Sequence, residues 1–452
     1  MSYLPHTEAD REVMLARIGV SSVEDLFASI PMELRTGVLA LPPGAPESDV
    51  AKRMGWLAET NRTWGARSFL GAGSYNHYVP AAVRALVGRS EFATSYTPYQ
   101  AEVSQGTLQH IFEFQTIISE LTGLPVANAS MYDAPSALAE AAFLAARHTS
   151  RDSIVASVGV HPESREVVRT YASGPGLPVS EIPLDPGSGR TVPPVPLALE
   201  GAAALLVQQP NFYGVIEDLE ALARAAHEAG ALLVVVQNLV TAAFLASPGE
   251  TGADVAVGDV QPFGNPNNYG GPSAGFLACA DAYVRQLPGR LVGKTLDADG
   301  RPCFALTMQA REQHIRRAKA TSNICSNQAL AALAATIHLS LLGPAGLREL
   351  GATCLARAHH LQRRLTSLPG VTAAFDSAFF NEFALSLPCD AATFSAALRD
   401  RGVDPGVPLS RFDPALDDML LVAVTEMNAP ADLDAYVEAA ADYLSSAEGR
   451  GA

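Results

Sequence analysis

The stretch GADVAVGDVQPFGNPNNYGGPSAGFL, residues 252–277, decides the fold. DVAVGD is an apolar run of strand length, QPFGNPNNYGG is a polar turn broken by prolines and paired glycines, and SAGFL opens a second apolar strand. Strands that are apolar without alternation belong to a sheet covered on both faces. The turn presents Gln261 just after the first strand and contains no lysine.

Working outward, buried-strand runs alternate with helix-period runs from about Ser68 onward. SIVASVG, AALLVQQ, ALLVVVQ, DVAVGD and AGFLACA read as strands, with IFEFQTIISELTG, SALAEAAFLAARH and DLEALARAAHEAG as helices between them. That alternation predicts an α/β domain with a mainly parallel sheet over residues 68–324. NQALAALAATIHLSLLG and PAGLRELGATCLARAHHLQRRLTSL then read as two consecutive helices. GVTAAF, FALSLP, AATFSAALRDRG, LLVAVT and a last helix from Pro430 follow, making a small α/β domain over residues 325–452. Residues 1–67 read as an extension of short helices, DREVMLARIG and SVEDLFASI, split by LPPGAPES, which packs on a partner or on the main body.

A formal charge of −16 works against binding nucleic acid or an anionic membrane surface. No apolar run approaches the roughly 20 residues that cross a bilayer, and no secretory leader pattern opens MSYLPHTEADREVMLARIG, so a cytoplasmic protein is expected. Five cysteines, odd in number and widely spaced, support neither a disulfide framework nor a metal site. Only three lysines, Lys52, Lys294 and Lys319, stand against twenty-eight arginines. A covalent aldehyde adduct needs a primary amine, and arginine, always charged, is no substitute. Lys52 lies in a polar helical run, Lys294 in a Gly-rich loop and Lys319 in a basic turn ahead of a helix, all contexts of solvated surface.

The sharpest polar cluster is FATSYTPYQAEVSQGTLQHIFEFQTIISELTG, residues 92–123. Tyr96, Thr97, Tyr99, Gln100, Ser104 and Gln105 place hydroxyls and amides just ahead of an amphipathic helix, with Pro98 fixing the turn. The pattern fits a wall of a binding site, and equally a capped helix start whose tyrosines pack on a neighbour. GAGSYNHYVP, residues 71–80, has the same mixture and would make an opposite wall, with His77 reading as a packed loop residue. ANASMYDAPSALAEAAFLAAR, residues 127–147, is a strand end, a turn and a helix, a geometry that presents free backbone N–H groups to a phosphate. Asp133 at that helix start takes those donors itself and repels a phosphate, so it reads as an N-cap.

In this order SYTPYQAEVSQG, ANASMYDAPSALAEAA, GADVAVGDVQPFGNPNNYGGPSAGF and REQHIRRAKATSNICSNQAL resemble the glycine decarboxylase P-protein of the glycine cleavage system, over most of the chain. The resemblance implies a pyridoxal-phosphate-dependent transferase fold, aspartate aminotransferase-like (type I), with a large domain and a small C-terminal one. In that class a strand-turn-strand holds the lysine that binds the cofactor, and the equivalent position here looks like Gln261. Such an enzyme also sets an acid against the pyridine nitrogen, because a protonated ring draws electrons from the substrate carbon. The strand ALLVVVQNLVTAAF offers Gln237 and Asn238 there instead.

At 452 residues the chain is similar to the alpha chain of the two-chain bacterial form of that family, which has the fold without the lysine. The resemblance implies a beta chain carrying pyridoxal phosphate, an alpha2beta2 assembly, and decarboxylation of glycine with transfer of the aminomethyl group to the lipoyl arm of H-protein. Tyr96, Thr97, Tyr99, Gln100, Ser104 and Gln105 would then line the partner's site and Gln261 would mark the degenerate lysine position. On that reading no residue is catalytic in this chain alone, and the chain binds no covalent cofactor and no metal. Two other readings stay open: a free-standing enzyme with Lys319 or Lys294 as an unconventional Schiff-base residue, and a scaffold derived from an enzyme.

Overall fold

The computed structural model describes residues 5–37, 39–61, 67–94, 96–194, 196–268 and 271–446. The chain divides into two compact units, Met1–Thr63 and Trp64–Ala452. The first carries helices Glu8–Ile18 and Glu47–Glu59 with short 3-10 turns between them. Its first helix starts on a capping box: the Thr7 hydroxyl accepts from Asp10 N–H at 3.2 Å, and the Asp10 carboxylate accepts from Thr7 N–H at 2.8 Å. No described residue of this unit is buried, so it has no core of its own.

The second unit is built on seven strands: β1 (Val126–Ala127), β2 (Ser153–Ser157), β3 (Val179–Ile182), β4 (Ala202–Gln209), β5 (Leu232–Asn238), β6 (Val255–Asp259) and β7 (Gly275–Cys279). Their order is β1-β7-β6-β5-β4-β2-β3. Strands β2 to β6 pair in parallel, whereas β7 runs antiparallel to both β6 and β1. The apolar strands have no solvent face because alternate residues join different cores. Leu206, Val234, Val257 and Leu277 share one core with helix Ala134–Thr149. Leu205, Val207, Leu233 and Val235 pack with helix Leu219–Glu228. Ala256, Phe276 and Ala278 pack with helices Gln105–Thr122 and Ala329–Leu365. Each fully buried aliphatic side chain contributes about 1.5–3 kcal/mol of transfer free energy.

An antiparallel hairpin, β8 (Leu291–Leu296) and β9 (Pro302–Thr307), follows the sheet. The sequence reading treated its first arm as a Gly-rich loop. Lys294 instead lies on β8, paired with Phe304 and exposed, because cross-strand pairing stabilises a segment whose glycines suggest irregular chain. A second sheet, ordered β10-β11-β13-β12, consists of β10 (Thr372–Ala373), β11 (Glu382–Ser386), β12 (Val407–Pro408) and β13 (Met419–Ala423), all antiparallel.

Helix Ala329–Leu365 joins the two sheets. It is two helices in succession, as expected, broken at Gly343 (φ 59°, ψ −177°) ahead of Pro344. Ala332, Ala335 and Leu339 belong to the core of the large sheet, and Ala358, Leu361 and Leu365 to that of the small one. By length and composition this helix would reach across a bilayer, contrary to the expectation of no such run, but part of its apolar surface is buried in these two protein cores while Leu330 and Leu341 stay exposed. The small sheet also captures chain from far upstream. Phe69 N–H donates to Asp404 C=O at 2.8 Å and its ring lies 4.7 Å from that of Tyr436, so Phe69 packs with the small sheet rather than the large one.

The turn after β6 is held against helix Ala329–Leu365 by a glycine. Gly264 has φ +77°, and a Cβ there would lie 2.6 Å from the Ala334 carbonyl oxygen. Gly264→Ala is expected to lower unfolding free energy by about 2–4 kcal/mol, from left-handed backbone strain together with the clash, as read from urea denaturation midpoints.

Candidate functional site

Ligands of open α/β sheets bind beyond the carboxyl ends of the parallel strands. At the end of β6 the Gln261 side chain is buried and fully bonded. Its Oε1 accepts from Tyr75 N–H at 3.0 Å, and its Nε2 donates to Tyr75 C=O, Asn265 C=O and Asn267 Oδ1, each at 2.9 Å. Asp259 turns the chain just before it, accepting from Gln261 N–H at 2.7 Å and from the Ser273 hydroxyl at 2.5 Å. Burial, with Asp133 as a nearby like charge, pushes the Asp259 carboxyl up to about 6. Asp133 is the N-cap of helix Ala134–Thr149 and accepts from Ser136 N–H at 2.8 Å. Asp133 thus takes the Ser136 donor at this helix start, with the Asp259 carboxyl close enough to feel its charge.

Gln237, at the end of β5, donates to Leu121 C=O at 3.3 Å, while its buried Oε1 finds no partner among the described residues. Asn238 caps the following turn, its Oδ1 accepting from Val240 N–H at 3.0 Å. His161, at the start of the helix after β2, lies 3.0 Å from Ala72 C=O through Nε2. Burial holds its imidazole below the usual histidine range.

The loop around residues 71–78 is fastened from both sides. Gln261 holds its Tyr75 backbone, and Glu382 of the small sheet accepts from Ala72 N–H at 2.7 Å and from the Tyr75 hydroxyl at 2.8 Å. Burial pushes the Glu382 carboxyl up to about 7. His77 is the packed loop residue expected: its Nδ1 is 2.7 Å from Glu426 Oε2, which Cys354 Sγ approaches at 3.6 Å. These three side chains bring possible metal-ligating atoms within 4.8 Å of one another. Their contacts are those of a hydrogen-bonded network centred on one carboxylate oxygen, in which burial raises the Cys354 thiol pKa.

The residues of the 96–105 segment behave differently from one another. Tyr96 is exposed, with its hydroxyl 2.9 Å from that of Ser326. Tyr99 is exposed and its ring centroid lies 5.7 Å from the Arg290 guanidinium carbon and 6.0 Å from the His314 ring. The Thr97 hydroxyl is buried without a partner among the described residues. Gln100 is exposed, and its carbonyl accepts from Val103 N–H at 3.3 Å. Ser104 stands at the start of helix Gln105–Thr122 and makes no side-chain cap bond. Gln105 points elsewhere: its Nε2 donates to Ala101 C=O at 2.7 Å and Phe304 C=O at 2.8 Å, and its Oε1 accepts from Phe304 N–H at 2.9 Å. Its amide is committed to clasping β9, which removes it from a ligand wall.

Tyr96 and Tyr99 thus gather around residues that the sequence reading did not single out. Arg290 donates through Nη2 to Cys325 C=O at 2.7 Å and through Nη1 to Asn327 Oδ1 at 3.3 Å. One arginine among twenty-eight carries no local signal, and its neighbours in space lie about thirty-five residues away in the chain. No hydrogen bond among the described residues joins this cluster directly to Gln261, so the sequence-selected residues fall into two groups. All three lysines are exposed: Lys52 beside Asp49, Lys294 on β8, and Lys319 in a short 3-10 turn.

Together, the sheet order and the lysine-free turn after β6 define a type I pyridoxal-phosphate-dependent transferase fold without an amine at that turn. A sphingosine-1-phosphate lyase from Burkholderia pseudomallei, 17% identical, shares this fold with a TM-score of 0.67, covering 93% of this chain and 96% of that one. The chain belongs to the glycine cleavage system P-protein family, whose model matches residues 1–439. It is 50% identical to a probable glycine dehydrogenase (decarboxylating) subunit 1 from Exiguobacterium sibiricum, over 97% of this chain and 98% of that protein. It is also similar to the crystal structure of a glycine decarboxylase (P-protein) of the glycine cleavage system in inhibitor-bound form. That match has 46% identity and a TM-score of 0.90, covering 98% of this chain and 100% of the other.

Two outcomes follow from the geometry. Gln261→Ala strips the Tyr75 N–H and C=O of their side-chain partner inside the protein, and is expected to destabilise by about 2–4 kcal/mol in equilibrium unfolding. Glu382 and Asp259 are protonated more readily in the folded than in the unfolded chain, so the stability they confer is full below their ordinary values of 4.5 and 3.8 and is lost as pH rises through about 7 and about 6. Glu382→Gln should shrink the fall in unfolding free energy between about pH 5 and about pH 8 by roughly 2–3 kcal/mol. An unchanged slope would show that the carboxyl is ionised throughout.

Proposed function

We propose that the chain is the alpha subunit of a two-chain glycine decarboxylase, that it holds no pyridoxal phosphate of its own, and that it completes a site on a lysine-bearing beta chain. The observation that carries this reading is Gln261. The turn that should supply an amine supplies an amide whose oxygen and nitrogen are both bonded inside the protein. The surroundings fit the cofactor no better. Asp133 takes a helix-start donor that a phosphate would need and Asp259 adds a second carboxyl near it, while the strand that would set an acid against the pyridine nitrogen offers the amides Gln237 and Asn238. Pyridoxal phosphate, bound to the beta chain, supplies the electron sink for loss of carbon dioxide from glycine.

This chain's own contribution is a wall: exposed Tyr96, Tyr99 and Gln100 present donors and acceptors to the substrate or to the arriving lipoyl arm of H-protein. The N-terminal unit supports a partner as well. It leaves Met32, Leu34, Leu41 and Trp56 more than half exposed, and a second chain would remove such apolar surface from water. The three exposed lysines weigh against a free-standing enzyme, since a lysine in open solvent lacks the burial that lowers its pKa and activates it.

Incubated alone with pyridoxal phosphate and then desalted, the chain is expected to keep no visible cofactor absorption and to release no carbon dioxide from carboxyl-labelled glycine. Both should appear when a homologous chain with lysine at the Gln261 position is added together with lipoylated H-protein, which accepts the aminomethyl group on its lipoyl disulfide. Turnover by the lone chain would sink the proposal. Combined Tyr96→Ala, Tyr99→Ala and Gln100→Ala should leave assembly intact on gel filtration and lower decarboxylation about tenfold or more. Normal turnover by that variant would favour the scaffold reading instead.

A further inference from the structure

We propose that Arg290, with Tyr96, Tyr99 and Asn327, forms a seat for an oxyanion, a carboxylate or a phosphate group. Arg290 is only 6% exposed, and a guanidinium that deep ordinarily has a carboxylate against it. None of the ion pairs among the described residues includes it. Its bonds go to neutral acceptors, Cys325 C=O and Asn327 Oδ1, and its Nε finds no partner among the described residues. Glu312 lines the smaller cleft beside Arg290, yet it lies 3.6 Å from His314 and forms no ion pair with the arginine. The guanidinium is therefore buried with no carboxylate in direct contact among the described residues.

Arg290 also borders a surface cleft. Tyr96, Thr107, His110 and Asn327 line it with Arg290, against an apolar side that includes Phe92 and Leu333. The Tyr96 hydroxyl on this cleft is bonded at 2.9 Å to that of Ser326 on the smaller cleft beside it, which leaves one donor of the pair to turn toward a ligand, and the Tyr99 ring covers the cation at 5.7 Å. The frame is rigid before any ligand arrives: Asn327 Nδ2 donates to the Ser130 hydroxyl at 2.9 Å, and Arg290 C=O accepts from Ala129 N–H at 2.9 Å. Arg311 is a useful contrast. It too is buried with unpartnered N–H groups, yet it lines neither this cleft nor the smaller one beside it, so burial alone does not make a seat.

The seat rests on the two-chain reading for the origin of its anion, which is either the phosphate of the partner's cofactor or the carboxylate of the substrate. Its test is direct binding. The purified full chain, alone and assembled with the lysine-bearing chain, is titrated with inorganic phosphate and separately with acetate, following the thermal midpoint and the heat of binding. At least one anion should give a saturable response that Arg290→Gln weakens about tenfold or more. Arg290→Lys should retain part of it. Tyr96→Phe, at an exposed position where folding is not at stake, should weaken it a few-fold, while Arg224→Gln on an exposed helix should leave it unchanged. A preference for phosphate assigns the cofactor group, and a preference for acetate the substrate carboxylate. Absence of a saturable response in both forms, or equal curves for wild type, Arg290→Gln and Tyr96→Phe, overturns the seat. Failure of the two chains to associate overturns the two-chain reading instead, and the titration of this chain still stands on its own.

Discussion

A single buried amide, that of Gln261, holds the centre of this molecule together. It needs both halves of its chemistry: the oxygen receives Tyr75 N–H, and the nitrogen serves Tyr75 C=O and the turn at Asn265 and Asn267. A lysine has three donors and no acceptor, so it would leave the Tyr75 N–H unpaired in the interior. The residue that replaces the amine is thus not a relic of decay. It gives the polypeptide a bond that the amine is unable to make, and Glu382 and Glu426 then carry the same loop onto the small sheet.

Electrostatics divides the chain into two regions of opposite character. Where the fold would cradle a phosphate, Asp133 and Asp259 put negative charge on the helix start, and burial makes the second of them reluctant to ionise. Beside the 96–105 segment the reverse holds, with an arginine buried among neutral acceptors and tyrosines. One region gathers two carboxylates at a helix start, and the other holds a guanidinium against neutral partners.

Much of the fold was legible in the chain. The strands β2, β4, β5, β6 and β7 are uninterrupted apolar runs, and the helices between them show clear amphipathic or alanine-rich periods. The hairpin β8 and β9 was not legible, since its glycines and charged residues resemble a loop until cross-strand pairing is seen. Phe69 gave no hint of its attachment to the small sheet, because that bond joins residues more than three hundred positions apart.

The site divides in the same way. The sequence by itself determined that no amine follows β6, that Asp133 begins a helix, and that hydroxyls and amides crowd residues 96–105, because these are matters of residue identity and local spacing. Only the tertiary structure decided what those groups face. It turned Gln105 inward onto Phe304, set Tyr99 over Arg290, and paired the Gln261 amide with a backbone 186 residues away. The physical reason is that hydrogen bonding and desolvation depend on which groups the packed elements bring within about 3 Å of one another, and no local pattern in the chain encodes that distance.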